Sequence, residues 1–166
     1  RMAVTLAIIN MPLLAQAADV SPVRITDGST YTMTADSVIN TGSNTTGIFV
    51  GYKDGGTIVG DNVTVTSDGY GIQIQTYATG GVAGSGDCSI KLGKTIVEAK
   101  SSAVRVDSSS YGQKATVILG AGSILNSSAN SAVYVTGKDS LLQIGDGSTV
   151  TGNSYGATGA ALASSS

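Results

Sequence analysis

The chain repeats one short pattern four times: an apolar run, a glycine, a second apolar run, then a third. The first run and its glycine read Thr57-Ile58-Val59-Gly60, Ile90-Lys91-Leu92-Gly93, Val117-Ile118-Leu119-Gly120 and Leu142-Gln143-Ile144-Gly145. Each is answered 11 to 13 residues later, by Ile72-Gln73-Ile74, Val104-Arg105-Val106, Val133-Tyr134-Val135 and, more weakly, Ala157. Gly60, Gly93, Gly120 and Gly145 lie 33, 27 and 25 residues apart. A period of that size built from short strands marks a solenoid, in which each repeat is one structural unit stacked on its neighbours.

The strand-like runs are three to five residues long and alternate apolar with polar. Gly, Asn, Asp and Ser bound them, which is the signature of short strands between turns. They include Thr57–Val59, Val63–Val65, Ile72–Ile74, Ser89–Leu92, Ala103–Val106, Thr116–Leu119 and Ala132–Val135. No apolar face with helical spacing persists after the first residues. About five coils follow: Tyr31 to Val50, then coils beginning near Thr57, Ser89, Thr116 and Leu141. The second and fifth agree in detail, because Gly60-Asp61, Val65-Thr66 and Tyr70-Gly71 recur at identical spacing as Gly145-Asp146, Val150-Thr151 and Tyr155-Gly156. The expected fold is all-β, a right-handed parallel β-helix without substantial helix. Equivalent strands stack about 4.8 Å apart. Ile58, Ile90, Leu92, Val117, Leu119, Val133, Val135 and Ile144 point inward, while Gln73, Lys91, Arg105 and Tyr134 point outward. The glycine closing each first strand is expected to supply backbone freedom at a corner. The Gly- and Ser-rich insertions Tyr77–Asp87 and Asp107–Lys114 are expected as corner loops. A β-sandwich shares the period-two strands but does not require equivalent sequences once per coil.

Composition narrows the function. Ser, Thr and Gly make up roughly two-fifths of the 166 residues, yet regularly spaced Ile, Val and Leu argue against disorder. The glycines lack a period of three, so the chain is not collagen-like. Met2–Leu14 is almost wholly apolar and leads to Ala15-Gln16-Ala17, the small-residue cleavage signal of an export sequence. A largely apolar stretch of thirteen residues is too short for a membrane span, which takes about 20. Residues 1–17 are therefore expected to be a signal peptide and 18–166 the exported β-helix. Removing Arg1 with that segment moves the formal charge from −2 to −3. With no cluster of Lys or Arg, nucleic acid is not an expected partner. The single cysteine, Cys88, rules out an internal disulfide and reads as a small buried hydrophobe beside Ser89-Ile90.

The cleavage signal Ala15-Gln16-Ala17 and coils such as Gly60-Asp61-Asn62-Val63-Thr64-Val65 and Gly120-Ala121-Gly122-Ser123-Ile124-Leu125 resemble the N-terminal part of an autotransporter passenger from a Gram-negative bacterium. The resemblance is periodic and compositional and covers nearly all of the chain. It implies a parallel β-helix at the cell surface or outside the cell, commonly an adhesin, carried through the outer membrane by a C-terminal barrel. The sequence ends in Ala160-Ala161-Leu162-Ala163-Ser164-Ser165-Ser166 with no barrel strands. The expectation is a fragment whose natural chain continues, with a last coil that frays and tends to pair end to end; a different exported solenoid is the alternative.

No catalytic constellation stands out. The sequence has no histidine, which removes Ser-His-Asp and Cys-His chemistry and the usual zinc sites. It has no Walker A loop, and Gly84-Ser85-Gly86-Asp87-Cys88 reads as a glycine-rich corner. The sequons at Asn44, Asn62 and Asn126 fit chance in so Ser/Thr-rich a chain. A glycoside hydrolase needs two carboxylates about 5 to 9.5 Å apart. Asp54, Asp61, Asp68 and Asp146 all sit at turn signals, Glu98 is the single glutamate, and Asp107, beside outward Arg105, has no second acid in register. No catalytic, cofactor or metal residue is therefore assigned. The favoured function is non-enzymatic adhesion or self-association, toward a host or bacterial surface glycan or protein. Tyr70, Tyr134 and Tyr155 are the candidate contacts, on outward ladders of Ser, Thr and Tyr. The alternative is a carbohydrate-active β-helix enzyme, a polysaccharide lyase or hydrolase. N-terminal sequencing of the exported protein should return Ala18 as the first residue; a terminus retaining Met2–Leu14 would contradict the export assignment.

Overall fold

The computed structural model describes residues 19–52, 54–76, 86–108, 113–153, 157–159 and 162–163. The expected signal peptide, Tyr155 and most of the two insertions lie outside the described residues. The described residues form eighteen short strands, turns between them, and no helix. Every strand pairs in parallel with the strand three places away in sequence, and three six-stranded sheets result. The chain visits the sheets in strict rotation, so the fold is a parallel β-helix. The first sheet holds β1 (Asp19–Val20), β4 (Ser37–Thr41), β7 (Val63–Ser67), β10 (Thr95–Ala99), β13 (Ile124–Ser127) and β16 (Thr149–Gly152). The second holds β2 (Val23–Ile25), β5 (Ile48–Gly51), β8 (Ile72–Gln75), β11 (Val104–Asp107), β14 (Val133–Thr136) and β17 (Ala157–Gly159). The third holds β3 (Thr30–Thr32), β6 (Gly56–Gly60), β9 (Cys88–Leu92), β12 (Ala115–Leu119), β15 (Ser140–Ile144) and β18 (Leu162–Ala163). The five coils read from the sequence run from β3 to β17, with β1 and β2 added before them and β18 after.

Alternation sets the core. Ile39, Val65, Val97 and Leu125 form one fully buried column, Ile48, Ile72 and Val104 another, and Ile58, Ile90, Val117 and Leu142 a third. Leu92, Leu119, Val133 and Val135 are also buried, and Ile144 packs partly buried against the same cluster. Cys88 fills a small space in the column that continues with Ala115. Burial pushes its thiol up to about 12, with the neighbouring Asp87 adding to the effect. The sulfur thus stays protonated and inert at neutral pH.

The corner glycines serve a different end from the one expected. Gly60, Gly93, Gly120 and Gly145 are not among the residues with positive φ. Gly93, Gly120 and Gly145 are small because successive turn backbones touch, whereas at Gly60 the Met33 and Leu92 side chains pack where a Cβ would be. A Cβ on Gly93 would lie 3.0 Å from the Asp61 carbonyl carbon, one on Gly120 would lie 2.7 Å from that of Gly93, and one on Gly145 would collide with the Ala121 amide. The contact is sealed by hydrogen bonds. The Gly93 N–H is shared between the Gly60 and Asp61 carbonyls, at 3.0 Å each, and the Gly120 N–H between those of Leu92 (3.0 Å) and Gly93 (2.9 Å). Conformational freedom matters instead at Gly147, whose φ is +68° and whose Cβ would meet nothing within 4 Å.

Hydroxyls line the same corner. Ser123 Oγ donates to the Gly120 carbonyl (2.6 Å) and accepts the Thr95 N–H from the preceding coil (3.0 Å). Ser148 Oγ repeats this with the Gly145 carbonyl (2.6 Å) and the Ser123 N–H (3.0 Å). At the next corner Ser67 and Ser127 bind turn backbone in the same manner. Part of the serine content expected on outward ladders therefore points into the corners, where it satisfies backbone groups that would otherwise be buried unpaired. Gly120→Ala should destabilise the solenoid by about 1–3 kcal/mol through overpacking. Gly147→Ala should cost about 1–2 kcal/mol through backbone strain alone, and Gly147→Asn less. Urea unfolding of the three variants checks this; an unaffected Gly120→Ala midpoint would contradict the close stacking.

Candidate functional site

Parallel stacking in register converts one position per coil into a line on the surface. On the second sheet the line facing away from the core cluster runs Arg24, Phe49, Gln73, Arg105, Tyr134, with Phe49 and Gln73 themselves buried by their neighbours. Each residue is the polar or aromatic centre of an apolar triplet. Val23-Arg24-Ile25 and Val104-Arg105-Val106 share one signature, so Arg24 was readable from the sequence by the same rule that placed Arg105 outward. Phe49 was hidden, since an aromatic between Ile48 and Val50 looks like core.

Arg105 is the hub. Its guanidinium carbon lies 5.3 Å from the centre of the Tyr70 ring and 5.2 Å from that of Tyr134. Its Nη1 donates to the Tyr70 hydroxyl at 2.8 Å, and its Nη2 lies 3.4 Å from Asp107 Oδ2. Tyr70 reaches the hub from the turn between β7 and β8, and Tyr134 from the next coil along β14. Partial burial works against the charge, but Tyr70 and then Asp107 outweigh it and raise the guanidinium above its ordinary range. Arg105 is thus a permanent cation held between two rings. Two of the three tyrosines singled out from the sequence meet here; Tyr155 lies outside the described residues.

A second stack stands on the same line. The Arg24 guanidinium lies 4.1 Å from the centre of the Phe49 ring and 5.0 Å from that of Tyr52, and the two rings are 5.2 Å apart. Tyr52 takes a left-handed conformation, with φ 65°, which is unfavourable for a bulky side chain. Its backbone is held there by the bond from its N–H to the Gln75 carbonyl (2.8 Å). Between the stacks Gln73 is nearly covered, and its Oε1 accepts the Thr46 hydroxyl at 3.0 Å.

Asp107 is buried beneath the line, and its register neighbours are Gln75 and Thr136. Asp54, Asp61, Asp68 and Asp146 occupy turns or bends, as expected. Glu98 projects from the first sheet and accepts a hydrogen bond from Asn126 at 2.7 Å. Among the described residues no group of three His, Cys, Asp or Glu is placed to hold a metal ion. No protein-family model, curated protein or solved structure matches the chain.

The hub makes a measurable prediction. Tyr70→Phe removes the acceptor of the Arg105 Nη1 bond and should cost about 1 kcal/mol. The loss should shrink sharply in an Arg105→Met background, because the two groups are coupled. Equal losses in both backgrounds would show that the hydroxyl bond contributes nothing.

Proposed function

We propose that this chain is a non-enzymatic passenger of the autotransporter type, exported to the cell surface or released, that acts by adhesion or self-association. The outward line on the second sheet is its contact surface. The single observation that carries this reading is the pair of cation–aromatic stacks on that line. Tyr and Arg are the residues that most often dominate binding energy, since each offers a large contact area with directed polar groups. Held on stacked strands, they need little ordering when a partner arrives. A host or bacterial surface glycan, a surface protein or a second copy of the chain would each meet the same surface, and no nucleic acid or cofactor is called for. In the full-length protein an outer-membrane barrel would carry the passenger across.

A carbohydrate-active enzyme is the second reading, favoured by the polar pair Arg105 and Asp107 at the strip. Two measurements separate them. Binding of the protein to cells and to a glycan array should fall about tenfold or more on Tyr134→Ala, the loss typical of an interface hot spot. It should be unchanged by Thr66→Ala on the first sheet. Cleavage of pectins or other acidic glycans that disappears in Asp107→Asn would replace adhesion with catalysis.

A further inference from the structure

Apart from Arg1, the sequence holds two arginines, Arg24 and Arg105, and both stand on the same surface line. Five of the six lysines lie elsewhere: Lys91 on the third sheet, and Lys94, Lys100, Lys114 and Lys138 in corners; Lys53 is outside the described residues. In a chain of net charge −2, the two planar cations of the solenoid are thus concentrated on one strip. Arginine differs from lysine in that its flat fork matches a carboxylate with two parallel hydrogen bonds.

The spacing is equally specific. β2 and β11 are three strand steps apart, which places the two backbone positions about 14 Å from one another along the axis. One strand step is close to the length of one pyranose ring in an extended polysaccharide. A linear chain of acidic sugars laid along the axis would bring a carboxylate to Arg24 and another to Arg105, about three sugars on. Phe49 and Tyr52 on one side, and Tyr70 and Tyr134 on the other, hold each guanidinium in place.

Arg105 also has capacity left for such a ligand. Its Nε is buried without a hydrogen-bond partner, so what faces solvent is the Nη end, and its ion pair with Asp107 is long at 3.4 Å. The Asp107 side chain is 8 % exposed against 29 % for that of Arg105, so it lies beneath the cation and leaves the outer edge clear. Arg24 is exposed.

Resting on the adhesive role proposed above for this same surface, we propose that the ligand of the strip is a linear polyuronate, bound lengthwise with its carboxylates on Arg24 and Arg105. A neutral glycan would bring no carboxylate to Arg24 and leave Arg105 with only its long contact to Asp107, and an acidic peptide would lack the flat repeat that matches the strand spacing.

Calorimetric titration of the 166-residue chain with digalacturonate, hexagalacturonate, fully methyl-esterified hexagalacturonate and hexaglutamate tests this. The hexamer should bind about tenfold or more tighter than the dimer, and esterification should remove that gain. Arg24→Met and Arg105→Met should each weaken the hexamer about tenfold, the worth of a charge-assisted hydrogen bond, and Arg105→Lys should recover only part of it. Equal binding of ester and acid, equal binding of hexaglutamate, or no binding of any acid probe would overturn the polyuronate. If cell binding still depends on Tyr134 in any of those cases, adhesion through the strip stands; if that dependence is also absent, both readings fall.

Discussion

Successive coils approach to the distance of a β-ladder at every level, and nearly everything else in this molecule answers to that spacing. At about 4.8 Å per step, each strand position carries one side chain, directed inward or outward in alternation and in contact with its equivalent in the next coil. At the turns there is less room. Gly93, Gly120 and Gly145 lie where turn backbones touch, and the shared N–H bonds of Gly93 and Gly120 show how near the carbonyls come. A single coil has no interior of its own. Ile58, Ile90, Val117 and Leu142 are buried because each lies against the next, so the core is a property of the stack rather than of any repeat.

Much of this was legible because the strand period and the coil period are both written in residue type. The inward set was readable from alternation, and Gln73, Lys91, Arg105 and Tyr134 were readable as outward from their apolar neighbours. The role of the recurrent glycines was not. A glycine needed for positive φ and one needed for close approach look identical in a sequence, and only the contacts of Gly120 and Gly147 separate the two cases. The first level was only half legible: β1, with two residues, carries no pattern, while Val23-Arg24-Ile25 in β2 shares the signature of Val104-Arg105-Val106.

The hydroxyls show a second limit. Ser123 and Ser148 could have faced solvent, and composition alone favours that placement. Instead each closes its own turn and receives an N–H from the coil before it. A serine at a corner can supply both a donor and an acceptor from one short side chain. That role depends on which residues the stack brings together, so it emerges only once the register is known. The same holds for Tyr70 and Tyr134. They are 64 residues apart in the chain and meet on Arg105 because β8, β11 and β14 are consecutive in one sheet.

Stacking also shapes what a surface of this kind can recognise. A globular pocket gathers groups from many directions around a compact ligand, whereas a parallel β-helix presents its outward groups in straight lines with a fixed interval. Such a surface suits a ligand that is itself linear and periodic, and it offers little to a small rounded one. On the second sheet the interval is occupied by groups that are already immobilised: Arg24 against Phe49 and Tyr52, Gln73 by Thr46, and Arg105 between Tyr70 and Tyr134. A free arginine loses considerable rotamer entropy when it is clamped by a ligand, but here the rings and the Tyr70 hydroxyl have restrained it beforehand. The architecture that gives the chain its core therefore also gives its outer face a ruled and preorganised character, and the two properties follow from one spacing.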